Sequence, residues 1–278
     1  YSMPSYCGSC ASGSYRVDVI NGCGTRTSTT AYVSTKASQP FITAGASATV
    51  ICAGTSINLT SSTPATAVTL LSENFNSATN DWVTTNTSTG GTPANAAWSL
   101  RANSYTYSGT TFNSNDNSQF YLSNSDDQGF GGTTETMLKS PAINISGYTS
   151  ASLSYFHHFS AFNAADAAAV EISIDGGVSW TVLRTFNTDQ GSESSFVNDV
   201  ISLNSYLGQL VKIRFHYTAD FGNYWAIDNV SVTGTPAANS FAWSSNPVGF
   251  TSSLQNPTSI TPAASTVYTV SATNVQGC

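Results

Sequence analysis

The chain has 278 residues, of which only 8% are charged, and its formal net charge is −7. This acidic balance leaves no basic footprint of the kind that binds nucleic acid. No apolar run approaches the length of a membrane-spanning helix, so the sequence predicts no membrane span. Because 40% of the residues are hydrophobic and 12% aromatic, the chain can build a core, which argues against disorder.

Short alternating runs of Thr, Val, Tyr, Phe and Ile recur along the chain, while long helix-forming runs are absent. That composition is typical of all-β secreted proteins. The cysteines fit no zinc site, because only Cys7 and Cys10 form a C-x-x-C pair. We therefore expect an extracellular protein with disulfides. The opening residues, YSMPSYCGSC, lack signal-peptide features and predict a mature product or an internal piece of a longer chain.

Two segments without any Asp, Glu, Lys or Arg, residues 37–72 and 235–278, flank a stretch that holds 14 of the 15 acids and five of the eight bases. Both segments contain strand patterns, "ATVICAG" and "SINLTS" before the charged stretch and "NSFAWSS" and "STVYTVSAT" after it. Linkers rarely show such patterns. The sequence therefore predicts one Ig-like β-sandwich split into residues 39–69 and 235–278, with a second domain inserted at 70–234.

Three residues of the split sandwich have expected positions. Trp243 would lie on the third strand, where an Ig-like sandwich has its core tryptophan. Cys52 would begin the second strand and Cys278 would end the sixth, and these points fall at the same end of such a sandwich. A Cys52–Cys278 disulfide is therefore reasonable, and it would join the two halves across the insert.

The segments "ICAGTSINLTSS", "FAWSSNP" and "TPAASTVYTVSATNVQGC" resemble the Ig-like and PKD-like repeats of long bacteroidete surface proteins. "GSYRVDVINGCGTRTSTTAYVST", residues 13–35, is similar to the last two strands of a preceding copy, so residues 1–38 are expected to close another repeat. The resemblance implies that Cys23 pairs with Cys7 or Cys10. It also implies that both chain ends are cuts inside a repetitive array.

Between residues 70 and 234, short strand patterns are bounded by Gly, Asn and Ser turns, which predicts a β-sandwich of jelly-roll type. In "LVKIRFHY", an apolar face and a polar face alternate cleanly. The ten patterns are TLLSENF, AAWSLR, SQFYLSN, ETMLKSP, ASLSYFHHFS, AAVEISID, SWTVLRTF, FVNDVISL, LVKIRFHYTA and WAIDNVSVTG. The apolar face consists of Val211, Ile213, Phe215 and Tyr217, and the polar face of Lys212, Arg214 and His216.

The stretch "SIDGGVSW", residues 173–180, fits the Asp-box pattern of sialidases and other secreted carbohydrate-active proteins. Asp175-Gly176-Gly177 also fits a tight hairpin turn, in which the Asp side chain accepts hydrogen bonds from turn amides. A sialidase would need several copies and a cluster of arginines around a tyrosine nucleophile. The chain has one copy and few arginines, so we interpret the motif as a structural turn.

Five motifs resemble the choice-of-anchor J and cleaved-adhesin domains and, more distantly, MAM domains. They are "SENF", "MLKSPAINISGYTSASLSYFH", "VEISIDGGVSWTVL", "ISLNSYLGQLVKIRFHY" and "YWAIDNVSV". The resemblance implies a non-catalytic jelly roll of type IX-secreted bacteroidete proteins, found in adhesins and beside secreted hydrolases. Many such domains hold structural calcium.

Calcium is the expected cofactor, because it prefers carboxylate and carbonyl oxygens. The resemblance singles out Glu73 and Asp228, which would meet where the first and last strands of a jelly roll lie side by side. Asp126 and Asp127 are expected to add ligands from a turn. The alternative is that Glu73 and Asp228 merely cap strand ends. The loop after the first strand offers only Asn80-Asp81, so a second calcium has little support.

We expect no enzyme activity, because no local sequence such as a G-x-S-x-G elbow supports a catalytic triad. His157 and His158 are adjacent on a strand and cannot both chelate one metal. All three histidines are expected to lie at the surface or to be half buried. Sugar binding would need exposed aromatic platforms, and the candidates are Trp98, Tyr105, Tyr107 and Phe130, of which some must belong to the core.

Two functions fit these features. The first is a segment of a long extracellular adhesin or filament, in which Ig-like spacers carry a laterally projecting jelly roll. The second is an accessory, carbohydrate- or protein-binding region of a secreted hydrolase. The expected partners are a surface glycan, a protein ligand or neighbouring copies in a filament, because an incomplete sandwich has strand edges that can accept another strand.

Overall fold

The computed structural model describes residues 42–63, 67–77 and 80–274, together with the backbone of four short strands between residues 13 and 33. The described part of the chain is all-β, as predicted, with only short helical turns. The chain divides into two compact units. The first unit consists of Tyr1–Thr66 and Pro236–Cys278, and the second unit is Ala67–Thr235.

The first unit begins with strands that pair locally. β1 pairs with β4 and β2 with β3, and β5 pairs with β6, all antiparallel. These strands are β1 (Gly13–Tyr15), β2 (Asp18–Asn21), β3 (Gly24–Thr27), β4 (Ala31–Val33), β5 (Thr43–Ala46) and β6 (Leu59–Ser62).

The second unit is a sandwich of two antiparallel sheets. All ten strand patterns predicted for the insert correspond to strands of this unit. The strands are β7 (Val68–Glu73), β8 (Val83–Asn86), β9 (Ser99–Arg101), β10 (Tyr105–Tyr107), β11 (Thr110–Phe112), β12 (Phe120–Asn124), β13 (Thr133–Lys139), β14 (Ile143–Asn144), β15 (Tyr148–Ser160), β16 (Ala167–Ser173), β17 (Thr181–Phe186), β18 (Val197–Ser202), β19 (Leu210–Asp220) and β20 (Tyr224–Pro236). The helical turns are α1 (Pro93–Ala96), α2 (Ser125–Gln128) and a 3-10 turn at Asn204–Tyr206.

The front sheet has the order β18-β15-β20-β12-β9, with β7 continuing alongside β20. The back sheet has the order β17-β16-β19-β13-β8, with β14 alongside β19. The first and last strands of the unit, β7 and β20, are paired, as predicted. β10 and β11 form a separate hairpin.

The main core lies between the two sheets and contains apolar side chains from both. The alternation predicted for β19 is confirmed, because its apolar residues are buried while its polar residues are half exposed. Full burial of an aliphatic or aromatic side chain stabilises a fold by about 1.5–3 kcal/mol. Phe215 and Trp225 lie in the centre, with their ring centroids 5.6 Å apart in an edge-to-face arrangement.

The segments on either side of the second unit fold together. Ile57 forms an antiparallel bridge with Ile260, and the Leu59 amide donates to the carbonyl of Pro257 (2.9 Å). Trp243 is buried in this small core, as predicted. The remaining strands, in a sheet of order β22-β21-β23, are β21 (Ser240–Asn246), β22 (Thr251–Ser252) and β23 (Val267–Thr273).

The strand predicted over "ATVICAG" is wrong. Residues 48–54 form no strand, and Cys52 lies in the connection between β5 and β6 instead of beginning a strand. Val50 is 90% exposed, so apolar residue types alone did not create a buried strand there. Cys52 is exposed and forms no disulfide with any residue that the structure describes. Its predicted partner Cys278, and also Cys10 and Cys23, lie outside the described residues, so these pairings stay predictions.

Candidate functional site

A second, smaller apolar cluster covers the outer face of the front sheet. Along β12, Tyr121 faces the main core while Phe120 and Leu122 face this cluster. The cluster is covered by the hairpin of β10 and β11, which contributes the fully buried Phe112. The hairpin turn is Ser108-Gly109, and both residues have positive φ, which suits a two-residue turn.

A pair of carboxyl groups lies on this outer face. Asp228 on β20 is fully buried and interacts with Asp116 and Ser114 from the connection between β11 and β12. Its Oδ1 accepts from the Asn229 amide (2.7 Å), whereas its Oδ2 is buried without a hydrogen-bond partner. Burial, together with the nearby negative charge of Asp116, raises the pKa of Asp228 to about 7.

The connecting loop, residues 113–119, is held over Asp228 by Asp116. The Asp116 carboxylate accepts from Ser114 Oγ (3.1 Å), from the Ser118 amide (3.1 Å) and from Asn229 Nδ2 (2.9 Å). These bonds outweigh burial and keep the pKa of Asp116 below its usual value. Asp116 was missed by the sequence analysis, although the Asn- and Asp-rich stretch "FNSNDNSQF" was a signal for it.

The chemistry of this loop fits calcium. Two further buried oxygens in it, Asn115 Oδ1 and Gln119 Oε1, lack hydrogen-bond partners, as does Asp228 Oδ2. Carboxylate and amide oxygens are the ligands that Ca²⁺ takes in proteins. Among the described residues, no group of three or more His, Cys, Asp or Glu side chains lies close enough to hold a metal ion. A calcium ion would therefore need amide and backbone oxygens besides Asp116 and Asp228.

Glu73 lies next to this loop in the fold. It is paired with Val230 across β7 and β20, and its Oε1 accepts from the Phe75 amide (2.8 Å), so the carboxylate caps the turn after β7. In the same turn, Asn76 Oδ1 accepts from the Gln119 amide (3.0 Å), which joins the turn to the loop. The bond from the Phe75 amide is one that a strand-end cap makes, and calcium binding by Glu73 stays a prediction.

Asp126 and Asp127 do not join Asp228, which corrects the expected four-carboxylate set. They lie in α2, which follows β12, whereas the loop with Asp116 precedes β12. The Asp127 amide donates to Asn124 Oδ1 (3.1 Å), which caps this helical turn. A five-residue strand spans about 17 Å, so β12 keeps the two sets of carboxylates apart.

The predicted aromatic platforms divide into three groups. Trp98 is only 3% exposed and packs against Trp225 in the main core, so its prediction as a ligand-binding residue is wrong. Tyr105 and Tyr107 lie on β10 and are half buried. The Arg101 guanidinium lies 4.4 Å from the centre of the Tyr105 ring. Burial and a hydrogen bond to Asp126 raise the pKa of Tyr107 to about 12.

Phe130 belongs to a different exposed cluster at the loop tips of the second unit. It is 90% exposed, and its ring centroid lies 5.8 Å from that of Phe221. Phe162, from a third loop, contacts Phe221 at 5.9 Å. Three apolar rings from three loops therefore meet at the surface.

A polar network beside the hairpin was not foreseen. Tyr224 Oη donates to Glu193 Oε1 (2.6 Å), and His158 Nε2 lies 3.8 Å from the same oxygen. The hydrogen bond from Tyr224 keeps the pKa of Glu193 below its usual value, while burial lowers the pKa of His158. His157 faces the main core, so the two histidines point to opposite faces, as predicted. Both are buried, whereas we expected them to be half buried or at the surface.

The turn of residues 173–180 has the structural role that we predicted. The Asp175 carboxylate accepts from the amides of Val178 and Ser179 (both 3.0 Å) and from Ser173 Oγ (2.7 Å). The hydrogen bond from the Ser179 hydroxyl to this carboxylate, followed by those from the Ser179 amide and Ser173 Oγ, holds the pKa of Asp175 well below its usual value. Trp180 Nε1 donates to the carbonyl of Gly177 (3.1 Å), which fixes the indole against the turn.

The chain matches no family model and no curated protein. Among solved structures, it is similar to the K1 cleaved adhesin domain of Lys-gingipain from Porphyromonas gingivalis W83, with 17% identity and a TM-score of 0.42 over 60% of this chain and 97% of that chain. It is also similar to the CBM22-1 xylan-binding domain from Paenibacillus barcinonensis Xyn10C, with 10% identity and a TM-score of 0.38 over 62% of this chain and 97% of that chain. A third similar structure is TmCBM61 in complex with β-1,4-galactotriose, with 10% identity and a TM-score of 0.32 over 54% of this chain and 86% of that chain.

Proposed function

We propose that the second unit is a non-catalytic, calcium-organised binding module of an extracellular adhesin or filament. Its ligand is a surface glycan, held on the outer face of the front sheet at the hairpin of β10 and β11. The first unit and its neighbours act as Ig-like spacers. In the described part of the chain, no helix is both long enough and apolar enough to cross a membrane.

The observation that carries the proposal is the hairpin itself. Tyr105 and Tyr107 are aromatic and half exposed, and Tyr105 packs beside the fully buried Phe112, which lies directly opposite it on β11. Tyrosine combines an apolar ring face with a polar tip, which matches a sugar ring that has one apolar face and hydroxyls at its rim. Glu193, next to the hairpin, offers a carboxylate that can accept from sugar hydroxyls.

Calcium would stabilise the loop that follows the hairpin. Asp116 and Asp228 would hold the ion with amide oxygens of the loop, and the ion would neutralise two carboxylates that otherwise repel each other. Because residues 113–119 continue directly from β11, fixing this loop also fixes the hairpin. Glycan binding should therefore depend on calcium even though no tyrosine contacts the ion.

The test uses the full chain on a broad glycan panel, once with calcium and once with EDTA. The variant Y105A/Y107A removes both rings of the hairpin. The matched control, F130A/F162A, removes two exposed rings from the loop tips and so also tests the other predicted platform, Phe130. We expect calcium-dependent binding that falls at least about tenfold in Y105A/Y107A and is retained in F130A/F162A, because aromatic anchors dominate binding energy.

Three outcomes would contradict the proposal. They are no binding to any glycan, equal binding by the wild type and Y105A/Y107A, and loss of binding only in F130A/F162A. The last result would assign the ligand to the loop tips. The melting temperature of each variant is measured alongside, so that loss of binding is not confused with unfolding.

A further inference from the structure

The outer face of the back sheet collects basic residues in an otherwise acidic chain. Lys139 on β13 lies directly opposite Arg214 on β19, and Arg214 lies directly opposite Glu171 on β16. Lys212 is two residues from Arg214 on β19 and therefore points to the same face. Three of the chain's eight Lys and Arg residues thus meet on two adjacent strands, β13 and β19.

This arrangement is unfavourable for the isolated fold. Like charges directly opposite each other on paired strands destabilise a sheet. Burial, followed by the positive charges of Arg214 and Lys212, lowers the pKa of Lys139. The cost points to an anion that offsets it when bound.

Two of the three cations have no carboxylate partner. Arg214 is paired with Glu171. Lys139 Nζ donates to the neutral Thr85 Oγ1 (3.0 Å), and neither Lys139 nor Lys212 forms an ion pair with any residue that the structure describes. His216, on the same face, is engaged by Glu171 (3.3 Å) and lies 3.7 Å from Glu135. The two lysines are therefore the charges left for a ligand.

The Asp175 turn adds an aromatic ring to this face. The Arg214 guanidinium lies 4.5 Å from the centre of the Trp180 ring. Gly177 supplies the positive φ (102°) that this turn needs, and a Cβ there would be in ordinary van der Waals contact with the indole (3.4 Å) and the Lys212 side chain (3.9 Å). The turn thereby holds a half-buried indole beside the basic residues.

We propose that this face, defined by Lys139, Lys212, Arg214 and Trp180, binds an acidic polysaccharide through its carboxylate or sulfate groups. The inference rests on the proposed role of the second unit as a binding module and adds a second, separate site to it. Because Lys139 lies opposite Arg214, Lys139 and Lys212 are diagonal neighbours about 7–8 Å apart, so they would contact anionic groups spaced along an extended polymer. Two free cations are too few for nucleic acid.

The test measures binding of the full chain to oligogalacturonate, which carries carboxylates, to dextran sulfate, to neutral dextran and to poly-L-glutamate. The variant K139Q/K212Q removes the free charges, and K139R/K212R keeps them as the matched control. We expect one anionic polysaccharide to bind, K139Q/K212Q to bind about tenfold more weakly and K139R/K212R to stay within about threefold of the wild type. Raising the salt concentration should weaken binding.

Failure of both anionic polysaccharides to bind, or equal binding by K139Q/K212Q, would overturn the inference. Stronger binding of poly-L-glutamate than of either polysaccharide would also overturn it, in favour of an acidic peptide. The Y105A/Y107A variant separates this test from that of the proposed function, because it should keep its affinity for the anionic polymer. A melting temperature of K139Q/K212Q equal to or above that of the wild type checks that the variant folds.

Discussion

At the scale of single residues, Asp228 is the most informative side chain. A buried carboxyl group is unfavourable when charged, and a second carboxylate beside it adds repulsion. Asp228 combines both conditions, with Asp116 as its neighbour. Protonation of Asp228 removes this repulsion, and the calcium ion that we propose would offset it in the same way.

The variant Asp228→Asn tests this arrangement. Its Nδ2 can donate to Asp116, which replaces a repulsive contact with a hydrogen bond. At pH 8 in EDTA, we expect the melting temperature of the second unit to rise by about 3–6 °C, the shift that about 1–2 kcal/mol gives a domain of this size. Calcium should stabilise the wild type but not the variant. A calcium-induced shift of equal size in both proteins, measured by differential scanning calorimetry, would rule out Asp228 as a ligand.

The pH dependence of stability follows from the same group. The pKa of Asp228 is about 7 in the fold and 3.8 ordinarily, so the folded protein binds the proton more tightly. Its contribution is fully present below about pH 4 and is lost as the pH rises to 7. His157 acts in the opposite direction, because burial lowers its pKa from 6.5 to about 4.

The difference between wild type and Asp228→Asn removes the histidine contribution, which is common to both proteins. In EDTA, we expect the stability advantage of the variant to be small at pH 4 and to grow until about pH 7. Thermal melts at half-unit steps of pH measure this difference. A difference that stays constant from pH 4 to 8 would mean that Asp228 has an ordinary pKa.

At the scale of elements, the turn after β16 is a compact hydrogen-bonded unit. Ser173 is nearly fully buried, and its Oγ both donates to Asp175 and accepts from the Gly177 amide (2.8 Å). One hydroxyl therefore joins the end of β16 to the carboxylate and to the backbone of the turn. The same turn fixes Trp180 on the outer face of the back sheet.

Replacing Ser173 with Ala should remove both bonds and leave the Gly177 amide without its partner. We expect a loss of about 1–2 kcal/mol in the free energy of unfolding. Urea denaturation followed by circular dichroism measures it. Ser194→Ala is the control, because Ser194 is exposed, and this change should stay within about 0.5 kcal/mol. Equal effects of the two changes would show that the Ser173 hydroxyl does not stabilise the turn.

The strands were easier to predict from the sequence than the burial of individual aromatic side chains. The strands of the second unit show clear alternation or β-branched runs, as β19 illustrates with Ile213 buried and Arg214 half exposed. The hairpin of β10 and β11 was missed as an element, although Ser-Gly between the runs "YTY" and "TTF" is a turn signal. Whether an aromatic side chain is buried depends on the segment that covers it. The sequence pattern therefore could not distinguish the buried Trp98 from the half-exposed Tyr105.

The candidate site was harder to predict because it depends on pairing between distant segments. Asp228 was singled out by the family resemblance, but its neighbour Asp116 comes from a loop 112 residues earlier in the chain. The register of β12 against β20 brings them together, and register is set by the packed faces of both strands. Asp126 has the same residue type and a similar loop context, yet it lies beyond the other end of β12.

At the scale of the whole molecule, each of the two units has a main core of its own. The core of the first unit is small and contains Trp243 and Ile57, whereas that of the second unit is large and contains Phe215 and Trp225. The first unit joins segments almost 200 residues apart, as the Ser61–Asn256 hydrogen bond shows (2.8 Å). Because small cores bury a smaller share of their surface, we expect the first unit to be the less stable one.

Separate cores predict separate unfolding transitions in calorimetry of the full chain. Trp243→Ala removes the largest side chain of the small core, which costs about 3–5 kcal/mol, and should lower only the first transition by more than about 10 °C. Ile213→Ala, or the milder Ile213→Val, should lower only the second transition, because Ile213 is fully buried in the large core. A single transition that both changes shift equally would show that the units unfold together. Independent transitions would instead mean that the second unit stays folded after the first unit has unfolded.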